Sequence, residues 1–185
     1  MDSLQNHLLI AMPHLADEPF NKAVIYMCEH SPQGAMGLIV NRPMDTTKIT
    51  LVLNALELDG DGPPDQFSDI YYGGPVQPGL GFVLHSTEYE QPSSNRLSSD
   101  IALSTSREIL EDIQQGNGPD QFRFSLGYAG WGAGQIEREL ANGDWLVMEA
   151  TLEFVFNKPD DLKWDASAKR FGIEITEISG FGGMA

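Results

Sequence analysis

Cys28 is the single cysteine of the chain, and His30 stands two positions beyond it. In an extended strand alternate side chains share a face, so this spacing would set a thiol beside an imidazole able to stabilise its thiolate. The same two residues also fit a small buried hydrophobe next to a turn histidine, since free cysteine is among the most buried residue types. No third residue nearby is placed to orient the imidazole. A second chemical feature is the run Gly127-Tyr128-Ala129-Gly130-Trp131-Gly132-Ala133-Gly134, which leads into a helix beginning at Gln135. Backbone amides at such a terminus can cradle an anion, which makes Gly130, Trp131, Gly132, Gly134 and Gln135 the candidate ligand-binding residues. The run has neither of the glycine spacings that mark dinucleotide or nucleoside-triphosphate loops, and the first basic residue after it is Arg138. Its glycines equally suit a tight turn packed around Tyr128 and Trp131.

Metal chemistry has less to build on. His7, His14, His30 and His85 are scattered, without the short His/His, His/Glu or Cys/His spacings of metal sites, so no metal and no cofactor is assigned. On the helix after the glycine run, Gln135 and Glu139 share a face that Glu137 does not, and these acidic residues read as a solvated face.

The elements that must position these groups follow from periodicity and turn chemistry. Residues 22–30 and 35–40 are apolar, strand-forming runs joined by Ser31-Pro32-Gln33-Gly34, and predict a buried hairpin. Residues 45–58 predict a helix capped by Asp45, Thr46 or Thr47, with Ile49, Val52, Leu53 and Leu56 on its apolar face. An acidic Gly/Pro loop at 59–66 leads to a strand at 70–72, a turn at Gly73-Gly74-Pro75, a strand at 81–85 and a polar loop at 87–96. Thr105 with Glu108 forms a capping box for a helix through Gln115 that buries Ile109, Leu110 and Ile113. A half-buried strand at 122–126 precedes the glycine run, read as a turn over 127–134, and a helix at 135–142 stopped by Gly143. Strands at 145–148 and 152–156 and a helix at 160–171 ended by Gly172 complete the order, with a loose glycine-rich tail. Irregular interleaving with several hairpin-length connections points to an α+β fold: a single domain spanning residues 1–185, with a mixed, largely antiparallel sheet, open or barrel-like, flanked by about four helices.

Composition narrows the function classes. A chain of 185 residues buries roughly 70% of its unfolded surface, enough for a core without a disulfide or metal staple. Its 11 Lys and Arg against 27 Asp and Glu give a formal net charge of −16, which repels phosphate backbones and anionic lipid. Direct nucleic-acid binding is therefore disfavoured. No apolar run reaches the roughly 18 residues that span a bilayer, and His7 to Met12 is too short for a secretory core, so the expectation is a cytoplasmic protein without a membrane partner.

Four blocks taken in order resemble the YqgE/AlgH family of bacterial proteins. They are AMPHLADEPFNKAVIYMCEHSPQGAMGLIVNRP at 11–43, YYGGPV at 71–76, GFVLH at 81–85 and LGYAGWGAGQIERELANGDW at 126–145. The resemblance covers most of the chain; Ile136 stands where the family often has leucine, and the loops at 59–68 and 86–96 differ. It implies a compact α+β domain with no agreed enzymatic activity or cofactor, and its name suggests regulation of transcription. Given the acidic balance and the absence of a helix-turn-helix pattern, the expected role is a noncatalytic interaction or regulatory module acting through a protein partner. The alternatives are a thiol enzyme or redox sensor at Cys28 and His30, and small-anion or nucleotide binding at residues 127–134. Oligomeric state is not legible in the sequence.

Overall fold

In the computed structural model the described residues are 3–45 and 69–173. The predicted hairpin is there, with β2 (Val24–Ser31) antiparallel to β3 (Gly34–Ile39) and the reversal at Ser31 and Gly34. Continuous apolar side chains on both strands require cover on both faces, and both are covered. β1 (His7–Ala11) adds to β2, and its Leu8 and Ile10 join one core cluster while Leu9 and Ala11 join another across the sheet.

The remaining strands are β4 (Ile70–Tyr72), β5 (Val76–Ser86), β6 (Asn95–Arg96), β7 (Ile101–Ser104), β8 (Phe122–Gly132) and β9 (Trp145–Glu149). Together they make one nine-stranded sheet in the order β6-β7-β5-β8-β3-β2-β1-β9, curled toward a half-barrel, with β4 pairing β8. Every pairing is antiparallel except β4 with β8, so the α+β reading of a mixed, largely antiparallel sheet holds.

Three α-helices are described: α1 (Arg107–Gln114), α2 (Gln135–Ala141) and α3 (Asp160–Arg170). α1 buries Ile109, Leu110 and Ile113 as its periodicity demands, against Val83 and Phe124 of the sheet. α3 lays Trp164 and Ala168 on the face that holds Leu8 and Tyr26, and the Trp164 indole donates to the Ala11 carbonyl at 2.7 Å. Its first residue, Asp160, is a half-buried junction. The carboxylate meets Arg123 of β8 at 3.1 Å and Lys163 at 2.7 Å, and accepts from the Tyr71 hydroxyl at 2.8 Å. The guanidinium of Arg123 also lies 4.4 Å from the Tyr71 ring centre and donates to the Val155 carbonyl.

Four local readings need correction. The glycine run is not a turn over 127–134: β8 continues through Gly132, and only residues 133–134 reverse the chain. Gly127 serves close approach, because a Cβ on it, at φ +70°, would overlap the Gly74 carbonyl, and one on Gly74 would in turn overlap Tyr128 backbone. Residues 152–156 are not a strand but lead into a π-helical turn (Glu153–Asn157) that buries Val155; the alternating apolar residues had satisfied the strand pattern without a neighbour to pair with. The Thr105–Glu108 capping box does not form, since α1 starts at Arg107 with Ser106 as its N-cap and no side-chain cap bond. β7, and the short β6 within the predicted polar loop, went unread because their six residues are too few for a periodic signal. The predicted helix at 45–58, the loop after it and the glycine-rich tail lie outside the described residues, apart from Asp45.

Candidate interaction groove

β5 pairs β8 at Val76↔Tyr128 and again at Gly81↔Leu126, so four residues of β5, 77–80, stand opposite the single residue Gly127. The excess loops out of the ladder, with Gln77 at φ +46° and Leu80 left 41% exposed. Beyond Tyr128, β8 runs on through residues 129–132 paired with β3 on its other side. The space left between the bulge and these strands is an open groove of about 620 Å³. Met36, Val76, Leu80, Phe82, Tyr128 and Trp131 line it, with Glu29, Gln33 and Gln77 among its polar groups. Phe82 and Tyr128 meet edge to face with ring centres 5.8 Å apart, which holds both rings in place.

The candidate ligand-binding residues divide around this groove. Gly130 and Trp131 line it, whereas Gly132, Gly134 and Gln135 close the turn into α2. The Gly132 amide, one of those that could have met an anion, donates instead to the Gln135 side-chain oxygen at 3.0 Å. The helix's own first side chain thus occupies part of the anion cradle. Glu139, read as part of a solvated face, is a structural hub. One carboxylate oxygen accepts the indole N–H of Trp131 at 2.8 Å and that of Trp145 at 2.9 Å, and the other accepts from Gln135 at 2.8 Å.

Cys28 and His30 are not brought together. A β-bulge interrupts β2 between Met27 and Glu29, so Glu29 pairs Met36 and His30 pairs Ala35. Met36 packs toward the core cluster that holds Cys28, while Ala35 belongs to the cluster across the sheet, so the extra residue puts Cys28 and His30 on opposite faces. The thiol is buried, its nearest polar partner is the Tyr26 carbonyl at 3.7 Å, and burial, with Glu29 adding, pushes its pKa up. His30 accepts the Leu4 amide at Nδ1 (3.0 Å), which leaves the proton on Nε2 to be donated to Glu137 at 3.0 Å. Glu137 is held below the usual carboxylate range by its own backbone N–H first and by His30 second. A chromogenic disulfide reagent at pH 7 should find Cys28 silent in the native protein and reactive once urea unfolds it; prompt native reaction would contradict this placement.

The other histidines have separate partners: His7 the Gln5 carbonyl, His14 Asp144, and His85 Ser86 and Ser104. The groove itself was missed in the sequence, although Pro78-Gly79 inside an apolar strand run is the turn chemistry that marks the bulge.

Comparison with known proteins agrees with this architecture. The UPF0301 protein of Marinomonas sp. (strain MWYL1) is 47% identical over 178 residues, 96% of this chain and 94% of that protein. That of Shewanella loihica is 42% identical over 186 residues, the full length of both. The solution structure of the AlgH protein from Pseudomonas aeruginosa superposes with a TM-score of 0.77 at 42% identity, covering 99% of this chain and 96% of that one. A crystal structure of protein DIP2367 from Corynebacterium diphtheriae shares the fold alone, at TM-score 0.70 and 20% identity over 92% and 87% of the two chains. The AlgH-like family, DUF179, matches residues 8–176, and the chain belongs to that family.

Proposed function

We propose that the protein is an interaction module that seats an extended, basic-apolar segment of a cytoplasmic protein partner in the groove between β3, β5 and β8. The observation that carries this reading is the β5 bulge, which leaves an apolar, aromatic-lined trough alongside a strand that continues past its neighbour. Extended peptides are taken up at such places by strand addition and by pockets for alternate side chains. The reading is noncatalytic at this groove, because the one thiol lies in the core and His30 is committed to Leu4 and Glu137. A net charge of −16, with Glu29 on the groove wall, favours a basic partner over nucleic acid. A regulatory role would then run through that protein and not through DNA. Among the described residues no helix is long and apolar enough to cross a membrane.

The test is a photo-crosslinking amino acid placed in cells at Leu80, on the groove rim, and at Leu162, exposed on α3. The expected result is a discrete protein adduct from position 80 alone, reduced about tenfold by Glu29→Lys. Identical adducts from both positions, or adducts indifferent to Glu29→Lys, would overturn the groove as the binding site, and so would the absence of any adduct.

A further inference from the structure

On the other face of β5 lies a smaller cavity of about 230 Å³, separate from the groove except that Leu80 borders both. Its walls are mainly apolar, from Val83, Leu110 and Phe124, and Ser104, the last residue of β7, lines it. Val83 pairs Ser104 and His85 pairs Ala102, which puts the His85 and Ser104 side chains on one face, two positions apart along the ladder.

The hydrogen bonds there have one consistent direction. His85 Nδ1 lies 2.9 Å from the Ser86 carbonyl, which can only accept, so Nδ1 carries the proton and Nε2 presents its lone pair. Nε2 lies 2.9 Å from Ser104 Oγ, so the Ser104 hydroxyl donates to it. Ser94 Oγ, 2.7 Å away, then donates to Ser104. Burial lowers the pKa of His85 and keeps the ring neutral, in the form of a base, at neutral pH. The ring is packed edge-on against Tyr89 at 5.6 Å between centres. A hydroxyl bonded to a base that is itself oriented by a third group is the arrangement of an activated nucleophile. α1 begins three residues after Ser104, and Thr105, Ser106 and Arg107 at its start also line the cavity. No side chain caps its first-turn amides, because the hydroxyl of the N-cap Ser106 is engaged with Ser93 instead, and the positive end of the helix borders the cavity in which an oxyanion would develop.

We infer that Ser104, at the cavity wall, and His85, buried behind it, form a nucleophile and base that act on a short-chain carboxylic ester held in this cavity. Ser104 Oγ bonds to the acyl carbon as His85 Nε2 takes its proton, and the ester C–O bond breaks as that proton passes to the departing alcohol. Water then attacks the acyl-serine with His85 again as base, releasing the carboxylic acid and restoring the hydroxyl. The small apolar walls select a compact acyl group.

The test uses the unaltered full-length chain and diisopropyl fluorophosphate, a compact serine-directed phosphorylating probe. Intact-mass measurement and peptide mapping should find one diisopropylphosphoryl group per chain, on Ser104. It should be absent after urea unfolding and in Ser104→Ala, whose melting curve reports that it folds. His85→Gln should slow the labelling by roughly 100-fold. A native protein left unlabelled, a label on another residue, or a rate on Ser104 unchanged in folded His85→Gln would each overturn the assignment.

Discussion

Asp160→Ala is expected to lower the stability of the folded protein by about 3–5 kcal/mol in urea unfolding at pH 7. The carboxylate pairs directly with two buried cations: the Arg123 side chain is 6% exposed, that of Lys163 not at all, and Asp160 itself only 19%. Removing it leaves both charges desolvated and the Tyr71 hydroxyl without its acceptor. The loss should also depend on pH. Lys163 has its pKa lowered from the ordinary 10.5, chiefly by burial, with the Asp160 hydrogen bond opposing that effect. In the variant the Asp160 contribution is lost, only Asp161 still opposes burial, and the folded-state value falls further. Between that value and 10.5 the unfolded chain binds more protons than the folded one, so stability rises with pH there. The gap between variant and wild type should therefore narrow from pH 7 to pH 9. Cys28 and Tyr26 titrate alike in both proteins, and Tyr71, which loses the raising effect of Asp160, has its unfolded titration near 10, above the pH range compared. A variant within 1 kcal/mol of wild type at pH 7 would show that the junction contributes little.

Glu139→Ala is expected to cost about 2–6 kcal/mol, because two largely buried indole N–H groups lose their acceptor at once, each an unpaired donor worth about 1–3 kcal/mol. Glu139→Gln separates this from a general effect of helix α2. Both indoles bond the same carboxylate oxygen, which a glutamine carbonyl can replace, while the glutamine NH2 loses only the contact with Gln135. The expected loss there is about 1 kcal/mol. Trp131 and Trp145 stack edge to face at 6.2 Å, so tryptophan fluorescence reports the same transition in both variants. Equal stability of the alanine and glutamine variants would remove the carboxylate from its place as the tie between β8 and β9.

Both residues show how a site can be half visible in a sequence. The i,i+4 relation of Gln135 and Glu139 is legible from helix geometry, and the pair does bond. That the same carboxylate also meets Trp131 and Trp145 depends on β8 and β9 arriving on either side of α2, and no local rule contains that. Cys28 and His30 failed in the opposite sense. Strand alternation places them on one face, and one bulge residue, fixed by the register against β3, turns them to opposite faces. His85 and Ser104 lie 19 positions apart in different strands, so their hydrogen bond has no signature in either segment.

What the sequence by itself determined is what short-range physics controls. Gly34 at the hairpin reversal, the helix ends at Gly116, Gly143 and Gly172, each with positive φ, and the apolar face of α1 all follow from residues within a turn of each other. The four blocks that resemble the family are also local strings, and the family they point to is the one that residues 8–176 match. Only the tertiary structure decided what Gly127 is for, because its reason is the backbone of residues 74–76 lying against it, whereas Gly134 does serve the turn that glycine suggests. It alone placed the groove, the Asp160 junction and the Ser104–His85 contact. Each of these depends on strand order and register, which are set by the summed burial of many side chains and not by any segment's own pattern.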